Sequence, residues 1–491
     1  METGARGSGR GGQSVAEPDA RQEEASGAEQ AAGEPEGGPE REPKGESKGE
    51  PEGRAAEAAS PELPHGLGRK PADAADPPEL PLKLAEAADA VRLLAGELAP
   101  VGMERVPLAD AGGRVLGEAL LARQPLPPFR RAAMDGYAVR EADLAPLDQG
   151  GAARLAVAGE RRPGRACGRQ DPQPGSALRI FTGARVPDGY DRVVMQERTR
   201  RLPGGAVELD RPPGSPTHIA EIGEDAPAGA VLLEAGARLR ARQIALLAAD
   251  GRDEAQVRRR PVVAVVPVGD ELRRAGQPLG GAGIYDSNSA MLAARVRELG
   301  GMPTTLLPVP DDPRRLAEAI REAALGADLV VTSGGVSVGD CDYAHEAARL
   351  AGGRIRVDKM KMRPGTPTSA YRMPDGTLLA ALSGNPSACF AGMELLVRPL
   401  LLRLAGRADW MPRWRTGRLA ASMPKPCPYP RYIRAAVGEA EDGMALLLPL
   451  AGDRSGNVAA FARAEALACV PAGGKGAAEG DRVRWLALDA D

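Results

Sequence analysis

From Pro261 onward the hydrophobic pattern alternates between two periods. The run PVVAVVPVGDEL is apolar and β-branched with no polar face, as in a strand covered on both sides within a parallel sheet. GIYDSNSAMLAARVRELG then takes up a helical period, with Leu292, Val296 and Leu299 on one face and Asp286 to Asn288 as N-cap candidates. Thr304 to Val309 predict a further strand. Asp312-Pro313 opens a helix, because proline suits the first helical position, and its stripe of Leu316, Ile320, Ala323 and Ala324 leads into a short strand at Asp328 to Thr332. Leu378 to Leu382 form another apolar run, with an apolar helix to Leu402 behind it. Strand and helix in alternation predict a doubly wound parallel sheet. Ligands in such sheets bind at the carboxyl edge, so Glu271, Asp286, Asp340 and Asp342 are expected to face one crevice.

The flanking segments follow other patterns. Leu84, Ala87, Val91, Leu94 and Leu98 predict an amphipathic helix, which is expected to pair with a second at Gln243 to Ala249. Between Gly151 and Glu224 short alternating runs (Arg154 to Val157, Ala177 to Phe181, Arg192 to Met195, Ala206 to Leu209) separated by Pro/Gly turns predict a small all-β unit. From Trp410 onward the runs Tyr432 to Val437, Met444 to Leu448 and Arg482 to Leu488 predict a small β-barrel-like unit, with the turn Gly452 to Asn457 inside it. Residues 1 to about 80 contain GEPEGGPEREPKGESKGEPEG, a polar low-complexity stretch that cannot offset its chain entropy by burial and is expected to be disordered. The expected organisation is therefore a tail (1–80), a helical linker unit (81–130 with 225–258), a β-rich insertion (131–224), an α/β unit (259–405) and a C-terminal barrel-like unit (406–491).

Composition narrows the chemistry. With 64 Lys and Arg against 67 Asp and Glu, there is no basic excess to favour nucleic acid. Five cysteines without CxxC spacing and three histidines without ligand spacing point away from a disulfide framework, a zinc site and a Ser/His/Asp hydrolase; a reducing cytoplasm fits. No run of about 18 apolar residues suggests a membrane span. The candidate chemistry gathers in DLVVTSGGVSVGDCDY, where Ser333, Gly334 and Gly335 end a buried strand with small residues able to surround an anion. Asp340 and Asp342 follow, carboxylates suited to a divalent ion bridging protein and phosphate. KMKMRPGTPTSA brings Lys359, Lys361 and Arg363 ahead of a rigid turn, and ALSGNPSACF puts Gly384, Asn385 and Pro386 at a helix start. Upstream, Asp135 precedes a glycine that permits a tight turn.

In order and spacing, MDGYAVR, IFTGARVPDGYDRVVMQE, GEDAPAG, VGDEL, IYDSN, SGGVSVGDCDY, RPGTP and SGNP resemble the molybdopterin molybdenumtransferase family, the MoeA and gephyrin E-domain group, over about residues 82 to 491. The resemblance implies a four-domain subunit with a MogA-like α/β domain, a homodimer with its active site between subunits, and Mg2+-dependent insertion of molybdate into adenylylated molybdopterin with release of AMP. Asp135, Thr182 and Asp225 would then act from the β-rich arm together with Glu271 and Asp342. Glu271, Asp312, Asp340 and Asp342 would hold the metal. Ser333, Gly334, Gly335, Ser337, Lys359, Arg363, Asn385 and Arg434 would hold phosphate, pterin or oxyanion. Molybdopterin adenylyltransferase and molybdoenzyme chaperones are the protein partners it implies.

The chain departs from the family pattern at several anion-site positions. Pro267 and Val268 stand where Ser-Thr is usual before GDEL, Thr366 replaces a lysine, and Ala388 replaces a serine with Ser387 beside it. His218-Ile219-Ala220 lacks an arginine, and Arg130, Arg131 and Ala132 occupy usually polar positions. Active transferase is the leading expectation. A divergent paralogue binding molybdopterin as carrier or scaffold is the alternative, and an adenylyltransferase a third reading that the β-rich insertion and tail domain oppose.

Overall fold

The computed structural model describes residues 80–165, 171–336, 343–450 and 456–489. The low-complexity tail, apart from residue 80, lies outside the described residues, as do Ser337, Asp340 and Asp342, Cys167 and Cys341, and most of the turn Gly452 to Asn457.

At the centre is a six-stranded sheet in the order Met302–Thr305, Val262–Pro267, Leu329–Ser333, Leu378–Leu382, Ser369–Arg372, Arg354–Val357. The first four strands are mutually parallel, as the alternating pattern predicts. The last two add an antiparallel edge. Its cause lies in Arg372-Met373-Pro374-Asp375-Gly376-Thr377, a connection closed by the Met373 N–H to Thr377 O bond and too short for a crossover. Successive side chains of each central strand point to opposite faces. Val263, Val265, Leu329 and Val331 accordingly pack with helix Ser287–Glu298 and the long helical stretch behind Pro386, while Ala264, Val266 and Val330 meet helices Pro313–Gly326 and Tyr343–Leu350.

The stretch from Pro386 is helical to Leu404, but residues Met393–Val397 widen into a π turn. Pro399 has no N–H to return to Leu395 O, which loosens the turn before it. The turn holds Glu394, fully buried, between Arg295 (Nε to Oε1, 2.6 Å) and Arg398 (Nη1 to Oε2, 2.9 Å). Burial acts most strongly on Arg295 and lowers its pKa, but Glu394 and Glu298 outweigh it, and the guanidinium is held above its ordinary value.

Helix Ala87–Gly96 forms as its periodicity predicts, yet it does not pack as expected. Val91 and Leu94 join the core of the α/β unit beside Leu400 and Leu401, whereas helix Ala241–Ala249 contributes Leu247 to a separate cluster with Leu116, Leu239 and Val257. The lead-in Leu82–Ala85 runs alongside the sheet edge, donating from Leu82 N to Arg356 O (3.0 Å) and from Ala85 N to Lys359 O (2.7 Å). Residues 82–98 thus pack with the α/β unit rather than with a linker.

Strands Arg192–Met195, Gly136–Val139, Ser176–Ile180, Ala153–Arg161, Ala206–Leu209 and Arg200–Leu202 make the second six-stranded sheet, in that order. Arg415–Leu419, Ala445–Pro449, Arg431–Glu439, Ala466–Val470 and Arg482–Ala487 close into a barrel around Leu419, Ile433, Leu447 and Trp485. Closure removes the exposed edges that an open sheet of this size would present.

Candidate functional site

Strand Val262–Pro267 has Met302–Thr305 on one side and Leu329–Ser333 on the other. The chain reverses its direction of travel across the sheet between the first and third of these, and the carboxyl ends diverge there to leave a crevice. It is a cleft of about 380 Å3 lined by residues of all the loops at that edge, among them Glu271, Asp286, Asn288, Asp311, Ser333 and Asn385. That volume suits a small ligand of several rings.

Ser333, Gly334 and Gly335 lie on the cleft wall. Ser333 is 3 % exposed, and Gly334 and Gly335 take φ of 105° and 71°. A side chain at Gly334 would sit 2.2 Å from Val268 O, so only glycine lets the two turns approach this closely. Asn288 fastens the turns together from the first turn of its helix: Nδ2 donates to Ser333 Oγ at 2.9 Å and to Gly384 O at 2.8 Å. Asp286 caps that helix, accepting from Ser289 N at 2.9 Å. Two amide oxygens bordering the cleft, Asn288 Oδ1 and Asn385 Oδ1, are buried and have no hydrogen-bond partner among the described residues. Such groups call for a donor. Val268 occupies the wall where the resemblance would place a hydroxyl, and it is buried.

The acidic side of the cleft differs from expectation in one member. Asp312 is not a cleft residue; its Oδ1 accepts from Arg314 N (2.9 Å) and Arg315 N (2.8 Å) as the N-cap of the helix that begins at Pro313. The preceding Asp311 lines the cleft instead. Partial burial, and then the nearby Asp270 and Glu271 charges, push the Asp311 carboxyl above the usual carboxylate range. Sequence could have separated the pair, because an aspartate immediately before a proline at the first helical position is the capping one. No group of three or more His, Cys, Asp or Glu side chains among the described residues is placed to hold a metal ion. Asp340 and Asp342 lie outside those residues, between Val336 and Tyr343, which both line the cleft.

Other expected site residues are elsewhere. Asp135 and Thr182 do meet: the Thr182 amide and hydroxyl both donate to Asp135 Oδ1 at 2.7 Å. The amide bond first, then the hydroxyl, hold the Asp135 carboxyl below its ordinary range. Gly136 is required behind them, since a β-carbon there would lie 1.9 Å from Val194 O. Asp225 is exposed on a turn pinned by its N–H to Leu126 O. None of the three lines the cleft of its own chain.

Lys359 and Arg363 are also absent from the cleft lining. Their loop packs on the helix that starts at Pro386, where a β-carbon at Gly365 would come 3.3 Å from Ala388 O, and the Thr366 hydroxyl turns inward to Met362 O. Arg363 is exposed, its backbone bonded to Pro430 O and Tyr432 N of the barrel. Arg434 does not line this cleft either. It is 5 % exposed on the strand face turned away from the barrel core that Ile433 and Ala435 line, donates to Asn457 O at 2.8 Å and lies over the Phe461 ring. The residues that sequence reasoning passed over are Asn288, visible there only as a cap candidate, and Asp311.

A doubly wound sheet with a cleft at its switch point, carried in one chain with a second six-stranded sheet and a closed barrel, defines a multidomain α/β protein. Comparison with known proteins makes the assignment specific. Residues 82–251 match the MoeA N-terminal region (domain I and II), 264–403 a probable molybdopterin binding domain and 416–488 the MoeA C-terminal region (domain IV). The chain is 35 % identical over 388 residues to a molybdopterin molybdenumtransferase of Bacillus subtilis, covering 78 % of this chain and 90 % of that protein. A protein of the same name from a Nostoc species is 36 % identical over 379 residues, covering 75 % and 85 %. A solved molybdopterin biosynthesis MoeA protein from Pyrococcus horikoshii superposes with a TM-score of 0.71 at 27 % identity, covering 82 % of this chain and all of that one. The chain belongs to the molybdopterin molybdenumtransferase family.

Proposed function

We propose that this chain inserts molybdate into adenylylated molybdopterin at the switch-point cleft and releases AMP. The observation that carries the reading is the pairing, on one cleft wall, of an anion-sized glycine turn with two buried amide oxygens. Ser333, Gly334 and Gly335 offer a phosphate a small-residue cradle, and Asn288 Oδ1 and Asn385 Oδ1 would accept from the N–H groups of a pterin. Family names and matched regions support the same chemistry.

The oxygen-rich acidic wall fits Mg2+, a hard cation bound through carboxylates and waters. Asp311, partly buried and then crowded by the Asp270 and Glu271 charges, has its carboxyl held above the usual range, a state that such an ion would relieve. Glu271 and Asp311 would hold it, completed by Asp340 and Asp342. When bound, the ion neutralises charge that develops on the departing phosphate. The residues of this chain orient the ester against the glycine turn, keep the pterin end in the cleft and leave Arg363 exposed to receive an oxyanion. Pro267 and Val268 together supply no hydroxyl where two are usual, so affinity for the oxyanion falls on the neighbouring loop.

Asp135, Thr182 and Asp225 are absent from the cleft of their own chain, and a homodimer would supply them from the second copy. The adenylylated substrate requires an adenylyltransferase upstream, and a molybdenum-loaded pterin requires a receiving molybdoenzyme or its chaperone, in a cytoplasmic setting. The test is incubation of purified protein with adenylylated molybdopterin, molybdate and Mg2+. Molybdate-dependent AMP release, abolished by Asp342→Ala and by Asp135→Asn in chains that stay folded, is expected. Retention of the ligand without AMP release would refute the transferase reading in favour of a carrier, and ATP consumption with free molybdopterin would refute it in favour of adenylyl transfer.

A further inference from the structure

Strand Ser176–Ile180 leads into Thr182, and its Arg179 adjoins the Asp135 turn, outside the cleft of its own chain. Arg179 is 8 % exposed. Its guanidinium carbon lies 5.0 Å from the centroid of the Tyr137 ring and 5.0 Å from that of Phe181, and Nη2 donates to Gln196 Oε1 at 2.7 Å. Nη1 is buried and has no hydrogen-bond partner among the described residues. All three partners are neutral. Burying a cation against neutral groups is costly, and two aromatic faces offset only part of that. A methionine would fill the same space without the cost, so packing alone does not account for an arginine here.

Each partner belongs to a segment that fixes the Asp135 and Thr182 pair. Tyr137 follows Asp135 by two residues and faces Arg179 across the sheet, Phe181 immediately precedes Thr182, and the Gln196 N–H donates to Asp135 O at 3.1 Å. One buried side chain thus ties together the three stretches of backbone around the carboxylate. Its charge reaches the carboxyl group as well. The Thr182 amide and then its hydroxyl do most to hold Asp135 below the ordinary range, and the Arg179 charge adds to them. Both Thr182 donors use Oδ1, and Oδ2 accepts no hydrogen bond from the described residues. A direct guanidinium fork would occupy both oxygens. A cation held back between two rings supplies charge and leaves one oxygen open. We propose that Arg179 is a positioning residue that orients the Asp135 carboxylate and keeps Oδ2 free for substrate. The inference rests on the transferase reading, in which Asp135 acts in the cleft of the second copy.

The experiment compares Arg179→Met, Arg179→Lys and Gln196→Leu in the full chain. Methionine keeps the ring contacts and removes the charge, lysine keeps the charge, and leucine at the exposed Gln196 removes the acceptor without emptying buried space. AMP release from adenylylated molybdopterin, with molybdate and Mg2+, is measured across substrate concentrations, and calorimetry reports the fold. Arg179→Met is expected to unfold within about 4 °C of wild type, while its kcat falls at least about tenfold and its KM changes less than about twofold. Arg179→Lys should recover part of kcat, and Gln196→Leu should lose severalfold. A second readout needs no substrate. Carbon NMR of aspartate-labelled protein should show the Asp135 carboxyl titrating at higher pH in Arg179→Met than in wild type, and lower again in Arg179→Lys. Wild-type kcat in a folded Arg179→Met or in Gln196→Leu, or an Asp135 titration that the methionine leaves in place, would each overturn the assignment and leave the transferase reading standing. Wild-type protein that releases no AMP would overturn the transferase reading and this assignment with it.

Discussion

Replacing Asn288 tests whether the cleft wall is held by one amide. In Asn288→Ala the donors to Ser333 Oγ and Gly384 O disappear together. Each such bond contributes about 1 kcal/mol net, and Ser333 is buried, so a loss of about 2–3 kcal/mol is expected from the α/β unit. For a unit of this size that corresponds to a fall of roughly 4–12 °C in its unfolding transition. The functional loss should be larger than the stability loss implies, because the Ser333 and Gly384 turns would no longer be held together. Misaligned backbone donors at such sites typically cost 10²-fold or more, so AMP release should drop by about that factor. Asn288→Asp is the sharper probe. It keeps the shape but points an acceptor at Gly384 O, and it should release AMP no faster than Asn288→Ala. The measurements are AMP release at saturating substrate and scanning calorimetry on both variants. Wild-type turnover in Asn288→Asp would refute the reasoning, since it would show that the donor role is unnecessary.

Further outcomes follow from the same geometry. Glu394→Gln should cost about 3–5 kcal/mol, because Arg295 and Arg398 would remain largely buried without their carboxylate; urea unfolding measures it, and a change under 1 kcal/mol would contradict the buried triad. The Asp311 carboxyl has a folded-state pKa above its unfolded value. Its contribution is therefore fully present below the unfolded carboxylate range and lost as pH rises through the folded value. In chelator, Asp311→Asn should be at least as stable as wild type at neutral pH, with the difference vanishing on acidification, whereas with Mg2+ it should bind the ion more weakly. Calorimetry across pH decides it, and a variant less stable than wild type in chelator would reverse the sign. Among the described cysteines, Cys389 is buried and its thiol pushed up to about 12, chiefly by burial, and burial likewise raises that of Cys469. Native alkylation read by mass spectrometry should modify Cys427 first, and early labelling of Cys389 would show that the core beneath the cleft opens.

Much of the α/β unit could be read from period alone, because strands covered on both faces have no polar side to confuse the pattern. Val262–Pro267 and Leu378–Leu382 are of this kind, and helix Pro313–Gly326 announces itself by its proline and stripe. The antiparallel edge was hidden by the expectation of uniform winding, although the Pro374 to Gly376 turn states it. Helix partners were not legible. Ala87–Gly96 and Ala241–Ala249 have similar amphipathic faces, and nothing in either says which core will receive it. Residue types announced Ser333 to Gly335 and Glu271 as residues of the cleft edge. Whether a polar group reaches a ligand or serves its own backbone depends on fractions of a turn, which separated Asp311 from Asp312 and set Arg434 against Phe461 and Asn457 O.

The loop carrying Lys359 and Arg363 is stitched from both sides. On one flank Ala85 N–H donates to Lys359 O and Lys361 N–H to Ala85 O, and on the other Arg363 N–H donates to Pro430 O and Tyr432 N–H to Arg363 O. Its cations thus inherit their positions from stretches of chain nearly 350 residues apart in sequence (85 to 432). Trimming the leader past Leu82, or loosening the barrel, disturbs the same electropositive rim without touching a single charged side chain.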